Sequence, residues 1–241
     1  MKTQDLHSDY ETLTIHSPNF FARTAHRARM KKSLEFVKSR LSLGKVLDYG
    51  CGTGVLVSKL NELKPGCTIG YEPIYEERYI DGLPIYSELS EISDHAPYHT
   101  ITVFEVMEHL QYSEIERMFL IFDEILAPNG SVIVSVPIEI GPVILFKQLN
   151  RFIRISKKWE YGFFEFLGAL LFGIAGRRES SGEPFILSHK GFDFRELKKF
   201  IESKGWQVEV LCYSPFPIRC WYGNSQVFFT LKRLEAVGEG L

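Results

Sequence analysis

The sequence predicts an α/β fold built on a Rossmann-like, seven-stranded and mostly parallel sheet with helices on both faces. Three observations support this prediction: strands alternate with helical patterns, the first strand ends at a carboxylate and a glycine loop, and the last two strands form a closing pair. The length of 241 residues favours a single domain spanning residues 1–241. In such folds a ligand is expected at the carboxyl edge of the parallel strands.

The predicted elements follow from apolar spacing and from turn residues. A long helix is predicted over 20–41, where Met30, Leu34, Val37 and Leu41 make one apolar face. The further elements are strands over 45–48, 68–71, 83–86, 99–103 and 131–136, helices over 55–63, 113–126 and 192–204, and strands over 206–213 and 226–233. The last strand is expected to be antiparallel, and residues 138–187 are expected to form a helical insertion after the fifth strand.

Composition and charge exclude several classes of protein. The chain is 45% hydrophobic, which suffices for a core, and its net charge of −2 makes nucleic acid an unlikely partner. The four cysteines form no C-x-x-C pair, and the N-terminal segment has no apolar signal core, so a cytoplasmic protein with reduced thiols is expected. The sequence gives no indication of the oligomeric state.

The most informative motif is VLDYGCGTG, residues 46–54. Glycine allows positive φ and lets a ligand approach the backbone. The spacing is G-x-G-x-G, and Val55 stands where dinucleotide dehydrogenases have a third glycine. The motif resembles motif I of the class I S-adenosylmethionine-dependent methyltransferases. The resemblance implies that the loop holds S-adenosylmethionine through Asp48, Tyr49, Gly50, Cys51, Gly52 and Gly54. The alternative is a tight turn in an unrelated α/β protein.

A second acidic residue follows at the distance that a nucleoside site requires. Glu72 closes the second strand 18 residues after Gly54 and could accept hydrogen bonds from both ribose hydroxyls. The alternative is a solvated carboxylate at a strand end. By resemblance, Pro73 would pack near the adenine ring, and Ser87 or Glu88 would meet its amino group.

The segment after the fourth strand, FEVMEHL, contains an E-x-x-E-H pattern at residues 105–109. It resembles the same segment of ubiquinone-pathway O-methyltransferases and of small-RNA 3′-terminal 2′-O-methyltransferases. The resemblance implies that Phe104 and Glu105 lie beside the cofactor sulfur. It also suggests a divalent-metal site formed by Glu105, Glu108, His109 and His189.

The alternative is that these residues are structural or position the acceptor, with His109, His189 and Glu105 as the catalytic candidates.

Seven Lys or Arg residues between residues 23 and 40 are interpreted as the solvated face of the first helix. The competing interpretation is that these basic residues meet an anionic substrate or a membrane.

The insertion 138–187 is interpreted as a lid over the acceptor site. Between Lys147 and Arg178 it carries seven basic and two acidic residues, interleaved with aromatics. This pattern suits a membrane surface or an amphipathic substrate, and the alternative is an ordinary lid or dimer surface. Its apolar stretch, residues 163–175, is too short to span a bilayer.

The sequence therefore predicts methyl transfer to a small or lipid-like hydrophobic acceptor, at oxygen, with peripheral membrane contact as a possible feature. Two other hypotheses stay open: methylation of an RNA 3′ end, and a non-catalytic protein that binds S-adenosylmethionine.

Overall fold

The computed structural model describes residues 20–74, 82–151, 161–178, 186, 188–216 and 218–234. The helices are α1 (Phe20–Lys38), α2 (Val55–Leu63), α3 (Leu89–Asp94), α4 (Tyr112–Ile125), α5 (Val143–Arg151), α6 (Phe163–Phe172) and α7 (Phe194–Ser203), with a 3₁₀ turn at Met107–His109. The strands are β1 (Val46–Tyr49), β2 (Thr68–Tyr71), β3 (Ile85–Tyr86), β4 (Tyr98–Phe104), β5 (Leu126–Pro137), β6 (Trp206–Ser214) and β7 (Gln226–Arg233).

In the part of the chain that the structure describes, seven strands form one sheet in the order β3-β2-β1-β4-β5-β7-β6. Strands β3, β2, β1, β4 and β5 pair in parallel, and β7 is antiparallel to both β5 and β6. The predicted fold class and the antiparallel last strand are therefore confirmed. The carboxyl ends of β1, β2 and β4 meet at one edge, which is where the predicted site residues lie.

The central strands are apolar on both faces because helices cover both. Val46 and Leu47 of β1 are fully buried, as are Ile101 and Val103 of β4. One layer packs α4 and α7 against the sheet, and Phe122 and Leu197 belong to its core. The other layer packs α1 and α2 through residues that include Val37 and Leu60. This two-sided burial keeps the central strand ends in a fixed position.

Several boundaries differ from the predictions. Helix α1 ends at Lys38 and not at residue 41, and β3 is reduced to Ile85–Tyr86. Strand β5 begins at Leu126, because the predicted turn Pro128–Gly130 is a bulge within the strand, where its register against β4 shifts. Helix α3 was not predicted, and its six residues carry a reciprocal capping box between Glu88 and Glu91.

The 138–187 segment folds back onto the domain. Residues 138–141 are buried, and the N–H of Ile138 donates to the carbonyl of Ser225. Helices α5 and α6 then pack on each other through Ile144 and Ala169. Among the helices that the structure describes, none has the length and hydrophobicity needed to cross a bilayer.

Candidate active site

The glycine loop after β1 is held by the end of β2. The N–H groups of Gly50 and Cys51 both donate to the carbonyl of Tyr71, at 2.8 and 3.1 Å, and the N–H of Gly54 donates to the carbonyl of Cys51. Gly50, Gly52 and Gly54 all have positive φ, at 77°, 54° and 83°. These conformations are strained for residues with a Cβ, so the loop depends on its three glycines.

The three glycines differ in what surrounds them. A Cβ on Gly50 would lie 2.5 Å from the side chain of Val106, and a Cβ on Gly54 would lie 2.4 Å from that of Ile85. A Cβ on Gly52 would meet no atom within 4 Å. The outer glycines therefore allow close packing within the protein, whereas Gly52 leaves open space above the loop.

Two buried acids flank this open space. Glu72 accepts hydrogen bonds from the N–H of Gly52 at 2.9 Å and of Ile74 at 3.3 Å. Asp48 accepts one from the hydroxyl of Thr102 at 2.7 Å. Burial raises the pKa of both carboxyls, that of Asp48 to about 7, and the negative charge of Glu72 adds to the increase at Asp48. A cationic group placed here would offset the cost of keeping both acids ionised.

The remaining predicted cofactor residues differ in how far they are buried. The ring of Tyr49 packs against Tyr71 and Phe122, with centroids at 4.7 and 5.2 Å, so its side chain belongs to the core. Cys51 is half-buried, and its sulfur lies against Gly70. Pro73 and Glu88 are exposed, and Ser87 is half-buried. These three residues lie beyond the ends of β2 and β3, on the Glu72 side of the loop.

The end of β4 places Phe104 and Glu105 at the same edge. Phe104 packs against Phe228, with ring centroids 6.1 Å apart. Glu105 has a positive φ of 57°, which is rare for a residue with a Cβ. Its carboxylate accepts from Arg29 and from the amide of Gln226, each at 2.6 Å. Arg29 of α1 therefore reaches the site and is an exception to the solvated face predicted for the basic residues of this helix.

Two histidines face each other just beyond Glu105. Nε2 of His109 and Nε2 of His189 are 3.2 Å apart. Nδ1 of His109 lies 2.8 Å from the carbonyl of Ile186, and a carbonyl only accepts, so this nitrogen carries the proton. Burial, and then the neighbouring His189, lower the pKa of His109 to about 4, so this imidazole is neutral at pH 7. Its Nε2 lone pair therefore points at His189.

Glu108 lies beneath the two histidines and is fully buried. Among the described residues, neither of its carboxylate oxygens has a hydrogen-bond partner. Burial, and then the charge of Glu105, hold its pKa well above the usual range. One carboxylate oxygen of Glu108 and one ring nitrogen of each histidine lie within 4.8 Å of one another. Glu105 is not part of this cluster, because its carboxylate is turned towards Arg29 and Gln226.

Sequence reasoning missed a carboxylate on the other side of His189. Glu139 is 2% exposed, and its Oε1 lies 2.8 Å from Nζ of Lys147 and 3.5 Å from Nδ1 of His189. Burial alone would raise its pKa, but the charge of Lys147 and the hydrogen bond from His189 lower it to about 2. No motif marks Glu139, and only the tertiary structure brings it to His189.

Comparison with known families decides the class of protein. Residues 21–165 match the model of a methyltransferase domain, and they include the glycine loop, Glu72 and the segment after β4. The chain belongs to the class I S-adenosylmethionine-dependent methyltransferases. No curated protein sequence matches it.

Solved structures agree with this fold. A magnesium protoporphyrin IX methyltransferase from Synechocystis with bound S-adenosylhomocysteine has 10% identity and a TM-score of 0.54, over 96% of this chain and 95% of that one. An N1-methyltransferase from Burkholderia thailandensis, with bound 1,6-didemethyltoxoflavin and S-adenosylhomocysteine, has 13% identity and a TM-score of 0.53, over 95% and 88%. The methyltransferase domain of bacterial CtHen1-CN has 23% identity and a TM-score of 0.51, over 87% and 100%.

In this methyltransferase the site therefore has two sides. The glycine loop, Asp48 and Glu72 lie at the ends of β1 and β2, on the side predicted for the methyl donor. The cluster of Glu108, His109 and His189 lies beyond the end of β4. The resemblance to the ubiquinone-pathway type remains a prediction, as do the roles of the individual site residues.

Proposed function

We propose that this methyltransferase transfers the methyl group of S-adenosylmethionine to an oxygen of a small or lipid-like hydrophobic acceptor. The observation that carries the proposal is the pair of imidazoles of His109 and His189, with Nε2 atoms 3.2 Å apart beside buried Glu108. Paired imidazoles suit a hydroxyl, because the Nε2 lone pair of either ring can accept its proton.

On the donor side, the two buried acids take different parts of the cofactor. Glu72 accepts from the ribose hydroxyls, since its oxygens already face the loop N–H groups. Asp48 favours the ammonium end of the methionine part, because a positive charge stabilises its ionised form. Gly52 lets the cofactor lie directly on the loop. The proposed adenine contacts are Pro73, Ser87 and Glu88.

The reaction is an in-line displacement at the methyl carbon. The bond from sulfur to the methyl group breaks as the bond from the acceptor oxygen forms, and the neutral sulfur of S-adenosylhomocysteine leaves. The proton of the acceptor hydroxyl passes to Nε2 of His189, and the ionised carboxylate of Glu139 stabilises the resulting imidazolium. Alignment of donor and acceptor contributes the rest of the catalysis.

Binding of a divalent cation on the acceptor side is the alternative to proton removal by His189. The buried carboxylate of Glu108 has no hydrogen-bond partner among the described residues, and one carboxylate with two imidazoles is a donor set for Mn²⁺, Fe²⁺ or Zn²⁺. Glu108, His109 and His189 would hold the ion, and Glu105 would not. When bound, such an ion lowers the pKa of an oxygen that it coordinates.

The 138–187 segment is proposed as the lid on the acceptor side. Glu139 contacts His189, the carbonyl of Ile186 accepts from His109, and Arg178 donates to the carbonyls of Glu108 and Leu110 at 3.0 Å. Three separated parts of the segment therefore touch the residues that would meet the acceptor. This supports a role in recognising the acceptor rather than the methyl donor.

The test uses purified protein, S-adenosylmethionine with a labelled methyl group, and a total lipid extract, a polar metabolite extract or total RNA. Label in a hydrophobic product, with mass spectrometry of that product locating the methyl group on oxygen, supports the proposal. The variant His189→Ala should lose this product and still bind S-adenosylhomocysteine. Label confined to nitrogen-linked or water-soluble products would contradict the proposal.

Methylation of an RNA 3′ end is the second candidate function, and the cluster of one carboxylate and two histidines favours it. Label that enters RNA, that is retained after oxidation of the product, and that is absent when the 3′-terminal hydroxyls are oxidised before the reaction would support it. Binding of S-adenosylmethionine with no release of S-adenosylhomocysteine in any extract would support a non-catalytic binding protein instead.

A further inference from the structure

Exposed apolar side chains are concentrated on α5, on α6 and on the loop between β6 and β7. Phe164 and Phe172 are 83% and 75% exposed, and every exposed phenylalanine among the described residues lies on these three segments. The set comprises Leu145, Phe146, Leu149, Phe163, Phe164, Leu171, Phe172, Ile174, Phe216, Ile218 and Tyr222. We call this set the apolar face. Monomeric proteins rarely expose large apolar patches without a partner.

The three segments are joined by packing. Helices α5 and α6 share a small core that includes Ile144 and Ala169. The ring of Trp221, in the loop between β6 and β7, lies against the glycines at the borders of both helices. A Cβ added to Gly141 or Gly173 would come within 2.6 or 2.9 Å of this ring. The apolar face therefore belongs to one packed unit.

Helix α6 is apolar on its outward side as well as on its inward side. Ala169 is fully buried, whereas Phe164 and Leu171 are exposed and lie two turns apart on the opposite side of the helix. The single charged residue of α6, Glu165, is paired with Lys190 at 2.9 Å. Packing within the domain does not explain the outward phenylalanines and leucines.

Charge is distributed unequally between this region and the rest of the chain. Residues 147–178 carry seven Lys or Arg and two Glu, a balance of +5, whereas the whole chain is −2, so the other residues carry −7. Arg177 at the end of the segment and Arg219 in the neighbouring loop are exposed. The apolar face therefore lies in a part of the sequence with a net positive charge, and Arg177 and Arg219 are exposed on its segments or next to them.

We propose that the apolar face docks on the surface of an anionic lipid bilayer, with α6 lying in the plane of the interface. Exposed phenylalanines flanked by Lys and Arg are the composition that such surfaces bind. A symmetric dimer through the same face would bring two segments of charge +5 together, which disfavours a second copy as the occupant. The ten residues of α6 extend about 15 Å, half the hydrocarbon thickness of a bilayer.

A cavity beside the apolar face connects the proposed docking surface with the acceptor side of the site. It has a volume of about 550 Å³, and its wall includes Phe172, Ile174, Arg178 and Arg195. Arg178 also contacts the backbone carbonyl of Glu108, next to the two histidines. Docking would thus hold the acceptor side of the enzyme close to the lipid. Docking on lipid does not require methyl transfer, so the docking proposal can be contradicted without contradicting the proposed function.

The test is flotation of the full-length protein with vesicles of phosphatidylcholine alone, or mixed in equal parts with phosphatidylglycerol. The wild-type protein should float with the mixed vesicles, and less so in high salt. The double variant Phe164→Ser/Phe172→Ser should float at least about tenfold less. The control is Leu120→Ser, which changes a side chain that is 61% exposed on α4, away from the apolar face, and should float like the wild type.

Light scattering after size exclusion and the thermal shift with S-adenosylhomocysteine complete the design. The increase in melting temperature caused by S-adenosylhomocysteine should be the same in all variants, which shows that they are folded. Wild-type protein that stays with the unbound fraction, or a double variant that floats as well as the wild type, overturns the proposal. A wild-type dimer that the double variant abolishes, without flotation, identifies a second copy as the occupant and also overturns it.

Discussion

Nδ1 of His189 lies 3.5 Å from a carboxylate oxygen of Glu139, which is itself paired with Lys147. Because this carboxylate is ionised, with a pKa of about 2, it accepts from His189 and directs the proton to Nδ1. Nε2 of His189 then faces Nε2 of His109 without a proton, so the two lone pairs can share one proton or one cation. A buried ion pair outside every recognised motif thus sets the tautomer of a candidate catalytic residue.

The variant Glu139→Gln should slow methyl transfer by about tenfold or more, since the imidazolium of His189 loses its counter-charge. The Michaelis constant for S-adenosylmethionine should not change. The control is Glu196→Gln, an exposed carboxylate on α7. The double variant Glu139→Gln/Lys147→Gln removes the unpaired ammonium, so it should recover stability but remain slow. An unchanged rate in both Glu139 variants would argue against a positioning role.

Two glycines with the same backbone strain separate loop stability from cofactor binding. Gly52 and Gly66 have φ of 54° and 70°, and an added Cβ meets no atom within 4 Å at either position. Gly52→Ala and Gly66→Ala should each cost about 1 kcal/mol of stability. Only Gly52→Ala should weaken binding of S-adenosylhomocysteine, by about tenfold or more, because its Cβ enters the proposed cofactor space. Calorimetric titration measures this, and equal affinities would show that the cofactor lies elsewhere.

Asp48 should make the cofactor-free protein less stable as pH rises. Its folded-state pKa is about 7, whereas an unfolded aspartate titrates near 4, so the folded protein holds the extra proton between these values. The free energy of unfolding therefore falls across this window, by up to about 4 kcal/mol. Asp48→Asn removes the titration and should flatten the curve. Urea unfolding at several pH values measures the effect, and parallel curves for the two proteins would refute it.

Removing the carboxyl of Glu108 should have opposite effects on stability and on metal binding. Glu108→Met replaces a buried carboxyl that has no hydrogen-bond partner within the described residues, so the metal-free variant should be at least as stable as the wild type. Mn²⁺ should raise the melting temperature of the wild type but not that of the variant. Glu124→Met, on the exposed side of α4, serves as the control. If no divalent ion shifts the wild type, the metal hypothesis is withdrawn.

The arrangement of the proposed donor side could be predicted from sequence because its residues are close together along the chain. The glycine loop, Asp48 and Glu72 belong to one strand–helix–strand unit, and local spacing is enough to place them. Glu139, Lys147 and Gln226 could not be predicted, because they meet the site only through the folding of distant segments. The partners of the Glu105 carboxylate were hidden for the same reason, because Arg29 and Gln226 are distant from it in sequence.

Helices α5 and α6 also show what sequence patterns miss. Helix α6 is apolar around most of its circumference, so it lacks the periodicity that separates a buried face from an exposed one. The composition of the insertion indicated helices and basic flanks, but only the structure shows which phenylalanines face outward.

The contact between Gly50 and Val106 has a consequence for engineering this enzyme. The glycine loop and the turn after β4 pack so closely that a Cβ on Gly50 would lie 2.5 Å from the Val106 side chain. Libraries that vary the segment 105–109 to change acceptor preference should therefore avoid side chains larger than valine at position 106. A larger side chain at position 106 would press on the glycine loop. The change would then alter the affinity for S-adenosylmethionine together with the affinity for the acceptor.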